Sequence, residues 1–295
     1  MIVEAWFLAT ATAALIWSVL GIVAKKLMKT SSGLAYTYLY SLIALIFYTP
    51  VFLYFLLSSS FNFSSLAFLA IIVSGTANIL AFLGKNYSIK MGDLSTVIPF
   101  TKLQPVFTGI LAAIFLAETI TFVNAGGLVL VTIGSYVILK ENGKSLLDPL
   151  RKFKVTKAPK LAAATAMVFA VASIADRFAT QAIQPEIYTY FIYLFMTAGL
   201  TLYIYTRKRE VFEEAQRGFM EDKKLYLLTG LGAAISSYLV FFGFSKAEAS
   251  KVVPVLQLEI FLSVLAGVLI FDEKNLKEKA IGSVILVAGV IMTSI

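Results

Sequence analysis

From Ala5 onward the chain is a succession of apolar runs separated by short polar breaks. A helix that crosses roughly 30 Å of hydrocarbon needs about 20 apolar residues at about 1.5 Å each. That ruler predicts about ten spans: 5–25, 34–57, 65–84, 94–117, 121–139, 160–181, 186–206, 224–245, 250–271 and 278–295. The runs are too long for strands and lack the alternation of a membrane barrel, so helices are predicted throughout. The first run continues into a full span without a small-residue cleavage site and reads as a mature helix.

Connections are short apart from 140–160 and 207–224. The basic stretch 141–159 is the credible linker, dividing a first five-helix repeat, 1–140, from a second, 160–295. The two halves echo one another. LSTVIPFTKLQPVFTGILAAIFLAE, from Leu94, returns as ASKVVPVLQLEIFLSVLAGVLIFDE, from Ala249. Pro99 matches Pro254 and Glu118 matches Glu273, each 155 residues on, with Ser95/Ser250, Val97/Val252 and Leu103/Leu258 in the same register. A looser echo pairs Tyr36-Thr37-Tyr38 with Tyr188-Thr189-Tyr190 at a spacing of 152. Five is odd, so the second half enters from the opposite face. The expected fold class is an all-α membrane protein with about ten transmembrane helices arranged as two inverted five-helix repeats.

Composition agrees with the pattern. Hydrophobic residues make up 59% and charged residues 14% of the chain, with a mean hydropathy of +0.86. Soluble domains sit near 45–50% apolar. The chain has no Cys and no His, which removes disulfides, thiol nucleophiles, His-ligated metals and imidazole relays together. No phosphate-cradling glycine loop, metal cluster or catalytic constellation is found. An enzyme, a cofactor and a metal are therefore not expected.

The formal charge of +8 lies in the connections, which speaks for membrane orientation rather than nucleic acid. Twenty-one Lys and Arg fall on the face reached after the first span and two, Lys246 and Lys251, on the other. The positive-inside rule makes the first face cytoplasmic and puts both termini outside.

An ionisable group inside a span is costly and is a functional hypothesis by default. Lys102 falls about 12 Å into the fourth span and Glu259 about 14 Å into the ninth, both near the midplane. Gln104 is the repeat mate of Glu259, and Gln257 that of Lys102. This polar layer reads either as a site for a charged or proton-coupled substrate or as a self-neutralising pair. Whether Lys102 and Glu259 touch is left open by their positions on non-equivalent helix faces. Pro99, Pro105 and Pro254 are expected to bend the two helices and free carbonyls. Thr101, Gln104 and Thr108 form a polar stripe at helical spacing, with helix–helix hydrogen bonding as the alternative.

Asp176 is a second proton-coupling candidate beside Glu259. Its neighbour Arg177 is expected to snorkel. Tyr36, Tyr38, Tyr188 and Tyr190 are expected in an aromatic belt, and Glu118 and Glu273 as interface anchors or salt-bridge partners. Trp17 and Asn78 are candidates to line a cavity with Thr101.

These residues resemble a known family. The ten spans, the five-plus-five repeat and the two proline-to-glutamate motifs are similar to the drug/metabolite transporter superfamily, in its EamA-like ten-helix type. KMGDLSTVIP precedes the first motif, KAEASKVVP the second, and LIWSVLGIVAKK from Leu15 is similar to the family's first helix. The resemblance implies alternating access around a central cavity bounded by the third, fourth, eighth and ninth helices. It also implies a small-molecule substrate and a lipid bilayer as surroundings. Members are usually described with both termini cytoplasmic, against the charge count, so orientation and the direction of transport stay open. The function expected is secondary transport of a small polar or zwitterionic, amino-acid-like metabolite across the cell membrane, with a proton as candidate coupling ion. A flippase or exchanger for a sugar-linked substrate and a non-transporting membrane scaffold are the alternatives. Substrate identity and oligomeric state stay open.

Overall fold

The computed structural model describes residues 4–58, 65–91, 94–139, 148–263 and 276–295. Among these residues every regular element is a helix. In chain order they are α1 (Ala5–Leu27), α2 (Gly33–Ser58), α3 (Ser65–Met91), α4 (Leu94–Thr101), α5 (Gln104–Phe115), α6 (Phe122–Ile138) and α7 (Asp148–Val155). They continue as α8 (Lys157–Ala182), α9 (Pro185–Arg207), α10 (Glu210–Glu221), α11 (Lys223–Lys246), α12 (Ala249–Leu256) and α13 (Leu276–Ser294). Six of them, α1, α2, α3, α8, α9 and α11, are long and apolar enough to cross a membrane. The stretches Pro99–Phe115 and Phe122–Ile138 are apolar and shorter.

The expected fourth span, 94–117, is not one helix. It breaks at Lys102–Leu103, where the chain turns tighter and the amide of Lys102 bonds the Pro99 carbonyl at 3.2 Å. The ninth span breaks in the same way at Gln257, whose amide bonds the Pro254 carbonyl at 3.0 Å, before helix resumes over 258–263. Lys102 and Gln257 are 155 residues apart, so both breaks fall on one position of the repeat. Each lies three residues after the matched proline, which lacks an amide and disfavours a regular turn. The rest of the ninth span, 264–271, lies outside the described residues, as do Glu273 and 141–147 of the linker.

The two longer connections hold helices. α7 occupies part of the 141–159 linker, and α10 fills 210–221. α10 is amphipathic: Val211 and Ala215 are buried against Leu27, Ile204 and Tyr226, while Glu210, Glu213, Gln216 and Arg217 face out. The sequence hides such a helix because its single apolar stripe is short beside the membrane runs.

The chain packs as two compact units that each draw on both sequence halves, Met1–Ile79 with Ala175–Lys246, and Leu80–Ile174 with Ala247–Ile295. In the first, α1 packs on α11, and α2 packs on α9, α10 and α11. The repeat is visible in its contacts. Gly75 of α3 lies against Phe195 of α9, and Gly230 of α11 lies against Ile43 of α2, with no room for a Cβ at either glycine. Gly75 and Gly230 are 155 residues apart, Ile43 and Phe195 152 apart, so one contact is made twice.

In the second unit α6 and α13, repeat mates, cross closely through glycines. A Cβ on Gly127 would lie 2.8 Å from the Gly289 carbonyl oxygen, and one on Gly134 2.8 Å from that of Gly282. Gly127 corresponds to Gly282 and Gly134 to Gly289, again at 155 residues. The mates of one contacting pair thus form the other pair, the reciprocity of a two-fold axis. The early glycine of one helix meets the late glycine of the other, so equivalent helices run antiparallel and the repeat is inverted. Small residues let membrane helices approach to backbone contact, where packing replaces the missing hydrophobic drive.

Candidate functional site

The break at Lys102 has a consequence for chemistry. It releases the rotational register between the two parts of the span, and Lys102 Nζ meets Glu259 Oε1 at 2.8 Å. This is the contact that helix-face geometry left open. Both side chains keep some exposure, 17% for Lys102 and 29% for Glu259, so the pair is reachable rather than sealed. Lys85, late in α3 and exposed, lies within electrostatic range of both Lys102 and Glu259. From sequence it reads as one loop cation among twenty-one; only its position at the end of an apolar run, short of a turn, could have marked it.

Around the pair, Gln104 Nε2 donates to Ser173 Oγ at 3.3 Å, tying the start of α5 to α8. Gln257 is 5% exposed, and its Oε1 has no hydrogen-bond partner among the described residues. A buried amide oxygen left so is costly and points to a missing donor. Pro99, Thr101 and Pro105 are buried beside the break. The polar stripe of Thr101, Gln104 and Thr108 is corrected: the helix ends at Thr101 and restarts at Gln104, so the three do not share one continuous face.

The other candidates fall in the first unit, where Asp176 and Asn78 share one network. Asp176 Oδ1 accepts a hydrogen bond from Tyr188 at 2.6 Å and another from Ser74. Asn78 Nδ2 in turn donates to the Ser74 carbonyl at 3.0 Å and to Ser74 Oγ at 3.2 Å. Asn78 thus supports this network. Tyr188 is fully buried, which corrects its assignment to an aromatic belt; Tyr190 stacks on Phe52 with ring centroids 3.9 Å apart. Trp17 Nε1 donates to Ser236 Oγ at 2.8 Å, joining α1 to α11. Arg177 does not simply snorkel: its guanidinium donates to the Phe244 carbonyl.

Glu118 is not a salt-bridge anchor among the described contacts. Its carboxylate accepts from the amides of Ala249 at 2.7 Å and Ser250 at 3.0 Å and from Ser250 Oγ at 2.6 Å, capping the N-terminus of α12. A carboxylate there satisfies orphan amides and meets the positive end of the helix. Ala117, at φ 53°, turns the chain toward that cap, and the Glu118 amide bonds back to Ala112 O at 3.2 Å.

Apolar spans, an inverted repeat and interrupted helices with ionisable residues define a multi-pass membrane protein of the transporter kind. The chain belongs to the EamA-like transporter family, whose sequence pattern matches residues 4–140 and again 156–295. It is a membrane transporter of small substrates. A solved structure titled only "Crystal structure of protein" has the same fold, with a TM-score of 0.75 at 16% identity over 99% of this chain and 96% of that one. A search of curated proteins found no match.

Proposed function

We propose that the protein is a secondary transporter of a small polar or zwitterionic, amino-acid-like metabolite, working by alternating access in the plasma membrane. The observation that carries this reading is the Lys102–Glu259 pair at 2.8 Å beside the helix break that both repeats share. A partly exposed ion pair can exchange its internal partner for the two charges of a zwitterion, Glu259 taking the ammonium and Lys102 the carboxylate. Interrupted helices make such exchange feasible, because unwound backbone and short helix ends supply alternative partners. Gln104, Gln257 and Thr101 complete the polar surroundings.

Asp176 is the coupling site on this reading. Its described hydrogen bonds come from the hydroxyls of Ser74 and Tyr188, which suit a carboxylate and a carboxylic acid alike, whereas Glu259 is held by an ammonium. A flippase or exchanger of a sugar-linked substrate is the second reading, favoured by an extra cation, Lys85, within electrostatic range of the pair.

The test is a thermal-shift screen of purified protein with amino acids, sugars and nucleotide sugars, followed by liposome uptake of the hit. Glu259→Gln should weaken binding of an amino acid roughly ten- to a hundredfold, the worth of one charge-assisted hydrogen bond. Wild-type uptake with both Lys102→Met and Glu259→Gln present would overturn the site and favour a scaffold.

A further inference from the structure

The first unit carries a groove of about 440 Å³ between α2 and α9. Leu45 of α2 lines one side, and Leu194, Ala198, Leu202 and Tyr205 of α9 the other. Two threonines that complete the wall add little polarity. The Thr201 hydroxyl donates to the Thr197 carbonyl at 2.7 Å, and the Thr197 hydroxyl oxygen is buried. Leu194, Leu202 and Tyr205 are exposed on a membrane-length helix, so the groove opens toward hydrocarbon. From Leu194 to Tyr205 it follows α9 for about 16 Å at about 1.5 Å per residue. That is the depth of one leaflet, half of a hydrocarbon core about 30 Å thick.

One end of the groove is charged. α9 ends at Arg207, followed by Lys208 and Arg209. The Arg209 guanidinium carbon stands 4.3 Å from the centroid of the Tyr205 ring, and its Nε donates to the Tyr205 carbonyl at 3.0 Å. That bond uses one of the five donors of a guanidinium, leaving the fork able to hold a phosphate. A basic residue at the end of a span is ordinarily a solvated marker of orientation. Arg209 differs in packing on a residue that lines an apolar groove. The opposing charges nearby are met locally. Glu210 takes Lys208 at 3.8 Å, Glu214 accepts from Ser32 Oγ at 2.9 Å, and the Ile204 carbonyl, at the negative end of α9, accepts from the Lys208 amide at 2.9 Å. Setting Lys208 against Glu210 leaves Arg207 and Arg209 as two positive charges beside the groove.

We propose that this groove binds one anionic phospholipid, with an acyl chain along α9 and its phosphate held by Arg207 and Arg209 beside Tyr205. The apolar wall supplies the burial, the arginines choose the headgroup, and the length assigns the lipid to the leaflet on the basic face. Because α2 and α9 form the two walls, a seated lipid stabilises their packing by mass action. The site is independent of the transport reading.

The experiment uses purified full-length protein in a neutral detergent, with bound lipid counted by native mass spectrometry and the melting temperature followed in parallel. Phosphatidylglycerol and phosphatidylcholine of identical acyl chains are titrated at low and high salt. Phosphatidylglycerol should bind about thirtyfold more tightly at low salt, the worth of two basic residues at a membrane surface, and raise the melting temperature. Salt should shrink the preference. Arg207→Gln/Arg209→Gln should abolish it and leave the melting temperature without lipid unchanged, whereas Arg207→Lys/Arg209→Lys should keep most of it. Ala198→Phe, at an exposed position, should fill the groove and weaken both lipids roughly tenfold. Leu202→Gln, more exposed still, reads the same loss if Ala198→Phe does not fold. Equal binding of the two lipids, no binding, or a preference that survives Arg207→Gln/Arg209→Gln overturns the proposal. Glycerol phosphate competing as well as phosphatidylglycerol marks an anion site without a chain and overturns it too. So does unchanged lipid binding in the groove variants; if those variants instead lose a dimer, the groove belongs to a second copy of the protein.

Discussion

Lys102 Nζ and Glu259 Oε1 lie 2.8 Å apart although the two residues are 157 positions apart in the chain. Breaking a fully buried pair by removing one partner costs about 3–5 kcal/mol, because it strands a charge. Both groups here are partly exposed, so Lys102→Met should cost less, roughly 1–3 kcal/mol. Lys102→Met/Glu259→Gln should recover part of it. A double-mutant cycle on melting temperature in detergent checks this; additive losses would show that the two groups do not stabilise one another.

The glycine contacts between α6 and α13 make a matched comparison. A Cβ on Gly282 would lie 2.7 Å from the Ile138 amide nitrogen and 2.9 Å from the Gly134 carbonyl oxygen, and backbone does not yield cheaply. Gly282→Ala should therefore cost about 1–3 kcal/mol by overpacking. Gly21→Ala in α1, with nothing within 4 Å, should be neutral or gain up to about 1 kcal/mol of helix propensity. Equal melting temperatures for the two variants would remove the close crossing.

Glu118 and Ala117 separate a cap from a strained turn. Glu118→Ala removes three hydrogen bonds to α12 and should cost about 1–2 kcal/mol, the usual worth of an N-terminal cap. Ala117→Gly should instead stabilise by several tenths to about 1 kcal/mol, since a left-handed alanine carries strain that glycine lacks. A lower melting temperature for Ala117→Gly would contradict the turn.

Asp176→Asn keeps an oxygen that can accept from Ser74 and Tyr188 but cannot release a proton. Folding should survive, pH-gradient-driven accumulation in liposomes should be lost, and counterflow exchange should remain. Accumulation at the wild-type level would take Asp176 out of the coupling step.

By the positive-inside rule α10 is expected on the cytoplasmic face. Gln216 is exposed on α10, and the chain has no cysteine of its own. Gln216→Cys should react with an impermeant thiol reagent only after cells are opened. Labelling of intact cells would reverse the orientation and favour the topology usual for the family.

Hydropathy alone marked the six long spans α1, α2, α3, α8, α9 and α11, because the bilayer imposes a length that any apolar run must meet. The register of Pro99 with Pro254 likewise marked the inverted repeat and the two bent helices, since proline acts locally on its own turn. Tertiary structure decided what those bends accomplish. No periodicity can give the rotation of a helix beyond a break, so the meeting of Lys102 with Glu259 was hidden. Gly127, Gly134, Gly282 and Gly289 stood at the repeat spacing in plain sight, yet glycine is frequent in membrane helices and only the crossing shows which ones touch. Asp176 was legible as a costly buried charge. Its partners Ser74 and Tyr188 were not, because a hydroxyl can turn to its own helix backbone or to a neighbour, and packing makes that choice.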